Sequence, residues 1–325
     1  MRQNALCHND WHEFTNCADV KDLFSVSYTH LDTMSKRRVP KKIKALLGIN
    51  ALLLVCIFIC SFLLIKRITQ PRDGNTSGTA VTRSLDEHSS SSEWTRVKKP
   101  VKLPILMYHS VHNMAESEAA NANLIVDPET FESQLKALKK AGYYTLTPEE
   151  AHRILAKNEV PKGKKFVWLT FDDGVEDFYT IVYPLLKKYK MTATNNIITD
   201  FTQKEKENVL TFDQIKEMKK SGLTFESHTV NHPDLANSSL ETQKNELVAS
   251  KRLLDKVLDQ NTSVIVYPSG RYSQVTIDQA KKADYKLGLT TKNGLASSAD
   301  GLYALKRVRI LPTTTGEDLL AMIQE

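Results

Sequence analysis

The sequence predicts an α/β fold, a distorted (β/α) barrel of about seven parallel strands preceded by one transmembrane helix. Short apolar runs alternate with helical patterns from residue 101 to the end of the chain. Alternation of this kind, with strands that read as buried, is typical of a parallel sheet. Seven or eight strand candidates are enough to close such a sheet into a barrel. A separate uncharged run, at residues 45–65, is long enough to cross a bilayer.

The sequence of this uncharged run is ALLGINALLLVCIFICSFLLI. Basic residues crowd its amino-terminal side, at Lys36, Arg37, Arg38, Lys41, Lys42 and Lys44. The positive-inside rule then predicts a cytoplasmic amino terminus and an extracellular remainder. A cleaved signal peptide is the alternative, but its apolar region is normally shorter and no small-x-small cleavage site follows. Because the basic cluster borders a membrane span, we expect no nucleic-acid partner.

The segments on either side of the span divide the rest of the chain. Residues 1–44 read as a cytoplasmic tail, although 1–33 fit nothing that follows and Met34 resembles a natural start. Residues 66–100 are rich in Ser, Thr and Gly, which predicts a flexible stalk. The four cysteines all precede residue 66. The exported part therefore has no disulfide or cysteine ligand, which favours a Gram-positive surface.

The catalytic domain is predicted to span residues 101–325. Its strand candidates are Ile105–Tyr108, Tyr143–Leu146, Phe166–Thr170, Ala193–Ile198, Thr224–Ser227, Val264–Tyr267, Leu287–Thr290 and Leu305–Ile310. Helix candidates lie between most of them. One begins at Asp127-Pro128, and another has a capping box at Thr211 and Gln214 and a stop at Gly222.

Two carboxylates end the third strand candidate, in VWLTFDDGVEDF. Asp172 and Asp173 follow a buried apolar run, and Gly174 allows a sharp turn after them. Adjacent residues on a strand point to opposite sides, so the two carboxylates cannot repeat one task. Carboxyl ends of barrel strands are where active residues collect. A helix cap or a turn is the alternative role for such aspartates.

A pair of histidines follows the next candidate but one, in ESHTVNH. His228 and His232 are spaced i, i+4, which places both imidazoles on one face if the segment is helical. With one aspartate they complete a two-histidine, one-carboxylate metal site with open positions. The other aspartate then takes a proton from a metal-bound water. The alternative is two surface histidines without a ligand.

These motifs carry a family resemblance. TFDDG, SHTVNH and VYPSG are similar to motifs of the polysaccharide deacetylases, the NodB-homology family or carbohydrate esterase family four. The resemblance covers essentially all of residues 101–325. LPILMYHSV at the domain start resembles the branch that includes poly-N-acetylglucosamine deacetylases.

The resemblance implies a role for each matching residue. Asp172 would be the general base, and Asp173, His228 and His232 the metal ligands. Further residues would contact substrate or hold the oxyanion, with the Ser269 amide as a donor: Tyr108, Tyr267, Pro268, Ser269 and Gly270. Arg307 would orient Asp172, the alternative being a solvated surface arginine.

The sequence departs from the family pattern in two places. Many members carry a late histidine as general acid, but no histidine follows His232. His109 is the first candidate for that role, its alternative being a structural or sugar-contacting residue, and His112 is the second. Asn195 and Asn196 stand where relatives have apolar residues. Either one of them faces the barrel core with a hydrogen bond, or the strand is displaced.

The function implied is hydrolysis of N-acetyl groups on a cell-surface polysaccharide that contains N-acetylglucosamine, either peptidoglycan or poly-N-acetylglucosamine. A divalent metal is the expected cofactor. Zn²⁺ is the first choice, and Co²⁺, Ni²⁺ or Fe²⁺ suit the same donors. The alternatives are an O-acetyl esterase and a glycan-binding surface protein without turnover. We expect a monomer whose partners are the acetylated glycan and the membrane.

Overall fold

The computed structural model describes residues 93–324. The predicted cytoplasmic tail, the predicted membrane helix at 45–65 and most of the predicted stalk lie outside these residues. Within residues 93–324 no helix combines the length and the apolar character needed to cross a membrane.

Eight parallel strands form the main sheet of the described chain. They are β1 Ile105–Tyr108, β2 Tyr143–Thr145, β3 Lys165–Phe171, β4 Thr194–Ile197, β5 Thr224–Ser227, β6 Val264–Val266, β7 Leu287–Asn293 and β8 Leu305–Arg309. The strand order is β1-β8-β7-β6-β5-β4-β3-β2, and β1 also pairs with β3. That pairing closes seven strands into a barrel and leaves β2 outside, on the flank of β3. The predicted barrel and all eight predicted strands are confirmed.

Eight α-helices of the described chain surround the barrel. They are α1 Pro128–Lys140, α2 Pro148–Lys157, α3 Tyr183–Tyr189, α4 Thr199–Gln203, α5 Phe212–Lys220, α6 Leu240–Leu258, α7 Gln274–Lys282 and α8 Gly316–Ile323. The start signals act as predicted. Asp127 accepts a hydrogen bond from the Glu129 amide at 2.8 Å, and Thr211 forms a capping box with Gln214.

Short elements complete the chain. Trp94–Arg96 pairs antiparallel with Glu159–Pro161, Lys102–Leu103 pairs antiparallel with Ala296–Ser297, and Ser110–Val111 pairs parallel with Ile125–Val126. A π-helical turn, Phe178–Val182, leads into α3. Single 3₁₀ segments lie at Glu116–Leu124, Leu235–Asn237, Pro268–Gly270 and Ser298–Asp300.

The core has two layers, one on each face of the barrel strands. Leu169 belongs to a buried cluster that also contains Phe131 and Leu135 of α1, so its face packs against helices. Trp168, the preceding residue, belongs to a second cluster with Val266 and Leu289 of other barrel strands. Adjacent strand residues point to opposite faces, so the second cluster fills the barrel interior.

Parallel topology separates the two ends of the barrel. We call the end where strands finish, at residues 109, 172, 228 and 267, the carboxyl rim. The opposite end, at residues 105, 165, 224 and 264, is the basal end.

Charged residues at the helix ends differ between the two ends of the barrel. Several helices begin at the rim with acidic first turns, at Glu129, Glu149, Glu150, Asp200, Asp213, Glu241, Glu317 and Asp318. Six helices, four of which also have an acidic first turn, end at the base with lysines in the last turn, at Lys139, Lys140, Lys157, Lys187, Lys188, Lys219, Lys220, Lys256, Lys281 and Lys282. Both placements complement the helix dipole.

The chain approaches the barrel along the basal end. Asn158, directly after α2, donates from its side-chain amide to the Lys99 carbonyl at 2.8 Å and accepts from the Val101 amide at 3.1 Å. The Arg153 guanidinium lies 4.3 Å from the centre of the Trp94 ring. These contacts fasten residues 94–101 to the base, although the stalk was predicted to run to residue 100. The reason is long-range pairing with Glu159–Pro161, which local composition does not reveal.

Candidate metal centre and active site

Two adjacent aspartates follow β3 and face different partners. Asp172 continues the strand direction and is 2% exposed, whereas Asp173 turns away with a φ of 74°. Gly174 completes the turn with a φ of 69°. A non-glycine residue in this region of backbone space is strained, and such strain is concentrated at functional sites.

Asp172 is held by a buried arginine. The two terminal nitrogens of Arg307 donate to its two carboxylate oxygens at 2.9 and 2.7 Å, and Asn196 Nδ2 donates to Oδ1 at 2.9 Å. Arg307 is itself fixed, because its Nε donates to the Thr290 carbonyl at 2.8 Å. Burial alone would raise the pKa of Asp172, but the charge and hydrogen bonds of Arg307 outweigh it and hold the pKa well below its usual range. Asp172 is therefore an oriented carboxylate that is ionised at neutral pH before it meets a proton donor.

Arg307 is fully buried rather than solvated. A buried bidentate guanidinium–carboxylate pair fixes both partners in one plane. The structure thus places Arg307 in contact with Asp172, as the resemblance implied.

Asp173 faces the two histidines. Its Oδ1 lies 3.4 Å from His228 Nε2 and 3.8 Å from His232 Nε2, and one ligand atom from each residue lies within 4.8 Å of the others. His228 Nδ1 is 2.8 Å from the Val266 carbonyl. A proton on Nδ1 makes that contact a hydrogen bond and leaves the Nε2 lone pair aimed at Asp173. One carboxylate and two imidazoles converging in this way fit a divalent transition metal.

The histidine segment is a loop and not the helix that the i, i+4 spacing assumed. His228 directly follows β5, and the chain then passes through positive φ at Thr229, 68°, and at His232, 60°. The His232 amide donates to Thr229 Oγ1 at 3.0 Å. Two left-handed residues, instead of one helical turn, bring the imidazole centroids to 4.7 Å.

Glu246 holds this loop from α6. One of its carboxylate oxygens accepts from the amides of Val230, at 2.7 Å, and Asn231, at 2.9 Å, and the other accepts from the Asn231 side chain at 2.8 Å. Sequence reasoning missed Glu246. It lies on an ordinary helical pattern well downstream of His232, and nothing in that pattern indicates the contact.

His109 lies next to Asp172, while His112 does not. His109 Nε2 is 3.9 Å from Asp172 Oδ2. Burial lowers the pKa of His109, and the charges of Asp172 and Asp173 oppose that effect. His112 instead contacts Asp177 through Nδ1 at 2.9 Å and Glu118 through Nε2 at 3.1 Å. Both ring nitrogens of His112 are thus engaged away from Asp172, so of these two histidines it is His109 that lies beside that carboxylate.

The side chains of Tyr108 and Tyr267 lie in the core. The Tyr108 hydroxyl donates to Gln134 Oε1 at 2.8 Å and its ring stacks on Phe171 at 4.9 Å. The Tyr267 hydroxyl donates to the Tyr303 carbonyl at 3.0 Å. Both are predicted substrate contacts, but strand alternation turns their rings outward from the barrel. Only their backbones remain near the rim.

The turn after β6 presents its backbone at the rim. Pro268 is buried, whereas Ser269 is exposed and has a φ of 52°. Gly270 has a φ of 68°, and a Cβ there would stand 2.1 Å from Thr291 Oγ1. Only glycine fits at this position. The turn thereby fixes the direction of the Ser269 amide, the predicted oxyanion donor.

The two asparagines of β4 point to opposite faces. Asn196 faces inward, where it donates to Asp172 and, at 3.1 Å, to the Phe171 carbonyl. Asn195 is equally buried, but neither polar atom of its side chain has a hydrogen-bond partner. The departure from an apolar pattern at Asn196 is therefore explained by support for Asp172; we have no physical account of Asn195.

Comparison with known proteins places the chain among relatives. A sequence model of the polysaccharide deacetylase family matches residues 159–288. A Bacillus subtilis protein named as a polysaccharide deacetylase, YxkH, is 40% identical over 238 residues, which are 73% of this chain and 82% of the relative. The poly-β-1,6-N-acetyl-D-glucosamine N-deacetylase of Staphylococcus aureus is 32% identical over 200 residues, 58% of this chain and 68% of the relative.

A solved structure agrees with this assignment. The Streptococcus pyogenes deacetylase PplD, determined in complex with acetate, is 52% identical and superposes with a TM-score of 0.68. The match covers 70% of this chain and all of that one. Because these similarities extend over most of the relatives' length, the chain belongs to the polysaccharide deacetylase family.

Proposed function

We propose that the protein is a metal-dependent hydrolase that removes N-acetyl groups from an N-acetylglucosamine-containing polysaccharide of the cell surface. One observation carries the proposal. Two adjacent carboxylates stand in different settings, since Asp172 is paired with Arg307 and Asp173 faces His228 and His232. That division separates a proton acceptor from a metal ligand, which is what hydrolysis of an unactivated amide requires.

Asp173, His228 and His232 would hold the metal, with Zn²⁺ as the first choice for this donor set. A divalent ion there would polarise the acetyl carbonyl and lower the pKa of a water molecule. The chain's own contribution is orientation. The Val266 carbonyl sets the His228 tautomer, and Glu246 secures the loop that carries His232.

The remaining residues handle protons and charge. Asp172 takes a proton from the attacking water, and Arg307 keeps its carboxylate aligned. His109, 3.9 Å from Asp172, delivers a proton to the leaving amine nitrogen. The Ser269 amide donates to the oxyanion as it develops. His109 thereby takes the general-acid role for which the sequence has no late histidine.

The substrate class is supported by the relatives. The Staphylococcus aureus relative is named for poly-β-1,6-N-acetyl-D-glucosamine, and PplD was determined with acetate, the product expected of deacetylation. We further propose that residues 45–65 anchor the chain in the membrane, with the catalytic domain outside a Gram-positive cell. Peptidoglycan and poly-N-acetylglucosamine are both within reach of an enzyme placed there.

The test is acetate release by the purified full chain. We expect release from poly-N-acetylglucosamine or peptidoglycan that a chelator abolishes and Zn²⁺ restores. Asp172→Asn is the matched control, since it keeps the shape of the site. Faster release from acetylated xylan would instead indicate an O-acetyl esterase. Glycan binding without any release, in the metal-loaded protein, would indicate the non-catalytic alternative.

A further inference from the structure

The basal end of the barrel carries an exposed positive surface. Lysines in the last turns of six helices converge there, and among them Lys140, Lys157 and Lys220 are exposed and have no ion pair within the described residues. Lys164, in the turn before β3, adds charge at a position that no helix dipole requires, whereas Lys162 in the same turn is paired with Glu93. Helix-dipole complementarity therefore explains only part of this surface.

Acidic residues at the same end are largely neutralised. Glu93 pairs with Lys162 at 2.9 Å, and Glu159 pairs with Arg153 at 2.6 Å. The rim differs, because acidic first turns surround it. The described domain thus has a positive base and a more acidic rim, and an anionic partner would be attracted to the base.

The described chain also begins at this end. The strand Trp94–Arg96 pairs with Glu159–Pro161, and residues 98 and 99, both lysine, follow it. The predicted membrane span ends at residue 65, and the described chain begins at residue 93. A flexible stalk, as the sequence predicts between these positions, would keep its ends within roughly 30 Å of each other. Since the described chain enters at the base, such a stalk would favour an approach of the base to the bilayer.

We propose that the basal surface docks on anionic lipid headgroups of the membrane that anchors the protein, so that the carboxyl rim points away from the bilayer. The inference rests on the proposed membrane location and not on the proposed chemistry. Tethering raises the local lipid concentration, so weak attraction by several lysines is enough. Electrostatic contact of this kind acts over about 8 Å at physiological salt and disappears at high salt.

Lysine footprinting of the full chain tests the proposal. The chain is inserted into nanodiscs of phosphatidylcholine, with or without phosphatidylglycerol, and acylated with an amine-reactive reagent. We expect the basal lysines to react at least about threefold more slowly in the anionic discs, as for a surface docked two thirds of the time. Rim lysines, at Lys204, Lys206 and Lys244, should react equally in both. High salt should remove the difference.

A matched pair of variants locates the effect. Lys140→Gln, Lys157→Gln and Lys220→Gln together remove three basal charges, and Lys204→Gln, Lys206→Gln and Lys244→Gln remove three from the rim. Only the basal triple variant should lose the protection of the remaining basal lysines. Glutamine keeps the helical propensity, so both variants should fold.

Four results would overturn the proposal. Equal reactivity of basal lysines in both discs would remove it while leaving the anchor intact. Equal loss of protection in both triple variants would show an effect of net charge without a docking face. Protection by a soluble polyglycerol phosphate, with none by anionic discs, would show that the partner is a wall polymer. A chain that does not insert would remove the anchor and this inference together, and acetate release would still test the chemistry.

Discussion

The two ends of the barrel use the same unusual backbone conformation for different purposes. At the basal end Asn158, Lys190 and Asp259 have φ values of 56°, 54° and 48°, and each directly follows the last residue of a helix. At the rim Asp173 and His232 have φ values of 74° and 60°, but neither ends a helix. The basal residues end helices in the ordinary left-handed way. The rim residues instead aim side chains at a common point.

The difference shows where strain contributes to function. Left-handed backbone costs a residue with a Cβ about 1–2 kcal/mol. At a helix end, capping hydrogen bonds offset that cost. At the rim the cost persists because the barrel and Glu246 hold the loops in place. Substitutions at the rim should therefore change activity more than stability, and substitutions at the base should do the reverse.

The largest effect is expected for Asp172→Asn. The variant keeps the shape of the carboxylate but cannot accept a proton. Turnover should fall by roughly 10²–10⁴, the usual scale of general-base catalysis, while bound metal is retained. Acetate release and metal content, measured on the same preparation, check this. If added metal rescues Asp172→Asn, the roles of the two aspartates are reversed.

The second effect concerns Asp173→Asn. Asparagine tolerates positive φ, so the loop should keep its shape while the site loses a charged ligand. Metal affinity should fall by more than the 10–100-fold typical of outer-shell changes, and excess Zn²⁺ should restore part of the rate. Metal titration followed by acetate assay provides the measurement. Unchanged affinity would exclude Asp173 as a ligand.

The third prediction concerns Glu226, whose hydrogen-bond partners lie where β6 begins, at the basal end. Glu226 is buried and accepts from the amides of Ser263, at 2.8 Å, and Val264, at 2.7 Å. Burial raises the pKa of Glu226 to about 8 from an ordinary value of 4.5. Between these values the folded protein binds more protons than the unfolded chain, so stability falls as pH rises through this window.

Glu226→Gln should remove that dependence. One pKa unit is worth about 1.4 kcal/mol. The free energy of unfolding of the variant, minus that of the wild type, should therefore increase by more than this amount between pH 4.5 and pH 8. Denaturant unfolding at both pH values measures it, with acetate release as the control for an intact rim. Parallel pH profiles for the two proteins would mean that Glu226 is already ionised when folded.

The smallest effect comes from a matched pair of glycine substitutions. Asp259→Gly and Ser269→Gly each remove the backbone strain of a left-handed residue that carries a Cβ. Each substitution should leave the stability of the protein unchanged or raise it by up to about 1 kcal/mol. Asp259→Gly should leave turnover unchanged. Ser269→Gly should lower it modestly, because the oxyanion amide loses its fixed direction. Equal turnover in both variants would remove the Ser269 amide from the mechanism.

Much of the fold could be predicted because its signals are local. Apolar runs mark the strands of the barrel, and caps such as Asp127 and Thr211 mark helix starts. The observed strand ends lie close to the predicted ones. Asp172, Asp173, His228 and His232 could be selected because parallel strands bring their carboxyl ends to one rim.

The order of strands and helices, and the residue types available at each strand end, follow from local features of the sequence. Which partners these residues meet depends on how the strands assemble into the closed barrel. Arg307 and Asp172 are far apart in the chain, and their contact exists because β1 closes the barrel against β3. The same closure buries Tyr108 away from the site and turns Asn196 toward it. The contacts of each strand residue depend on which face of its strand becomes the barrel interior. No local pattern specifies that face when both faces of the strand are buried.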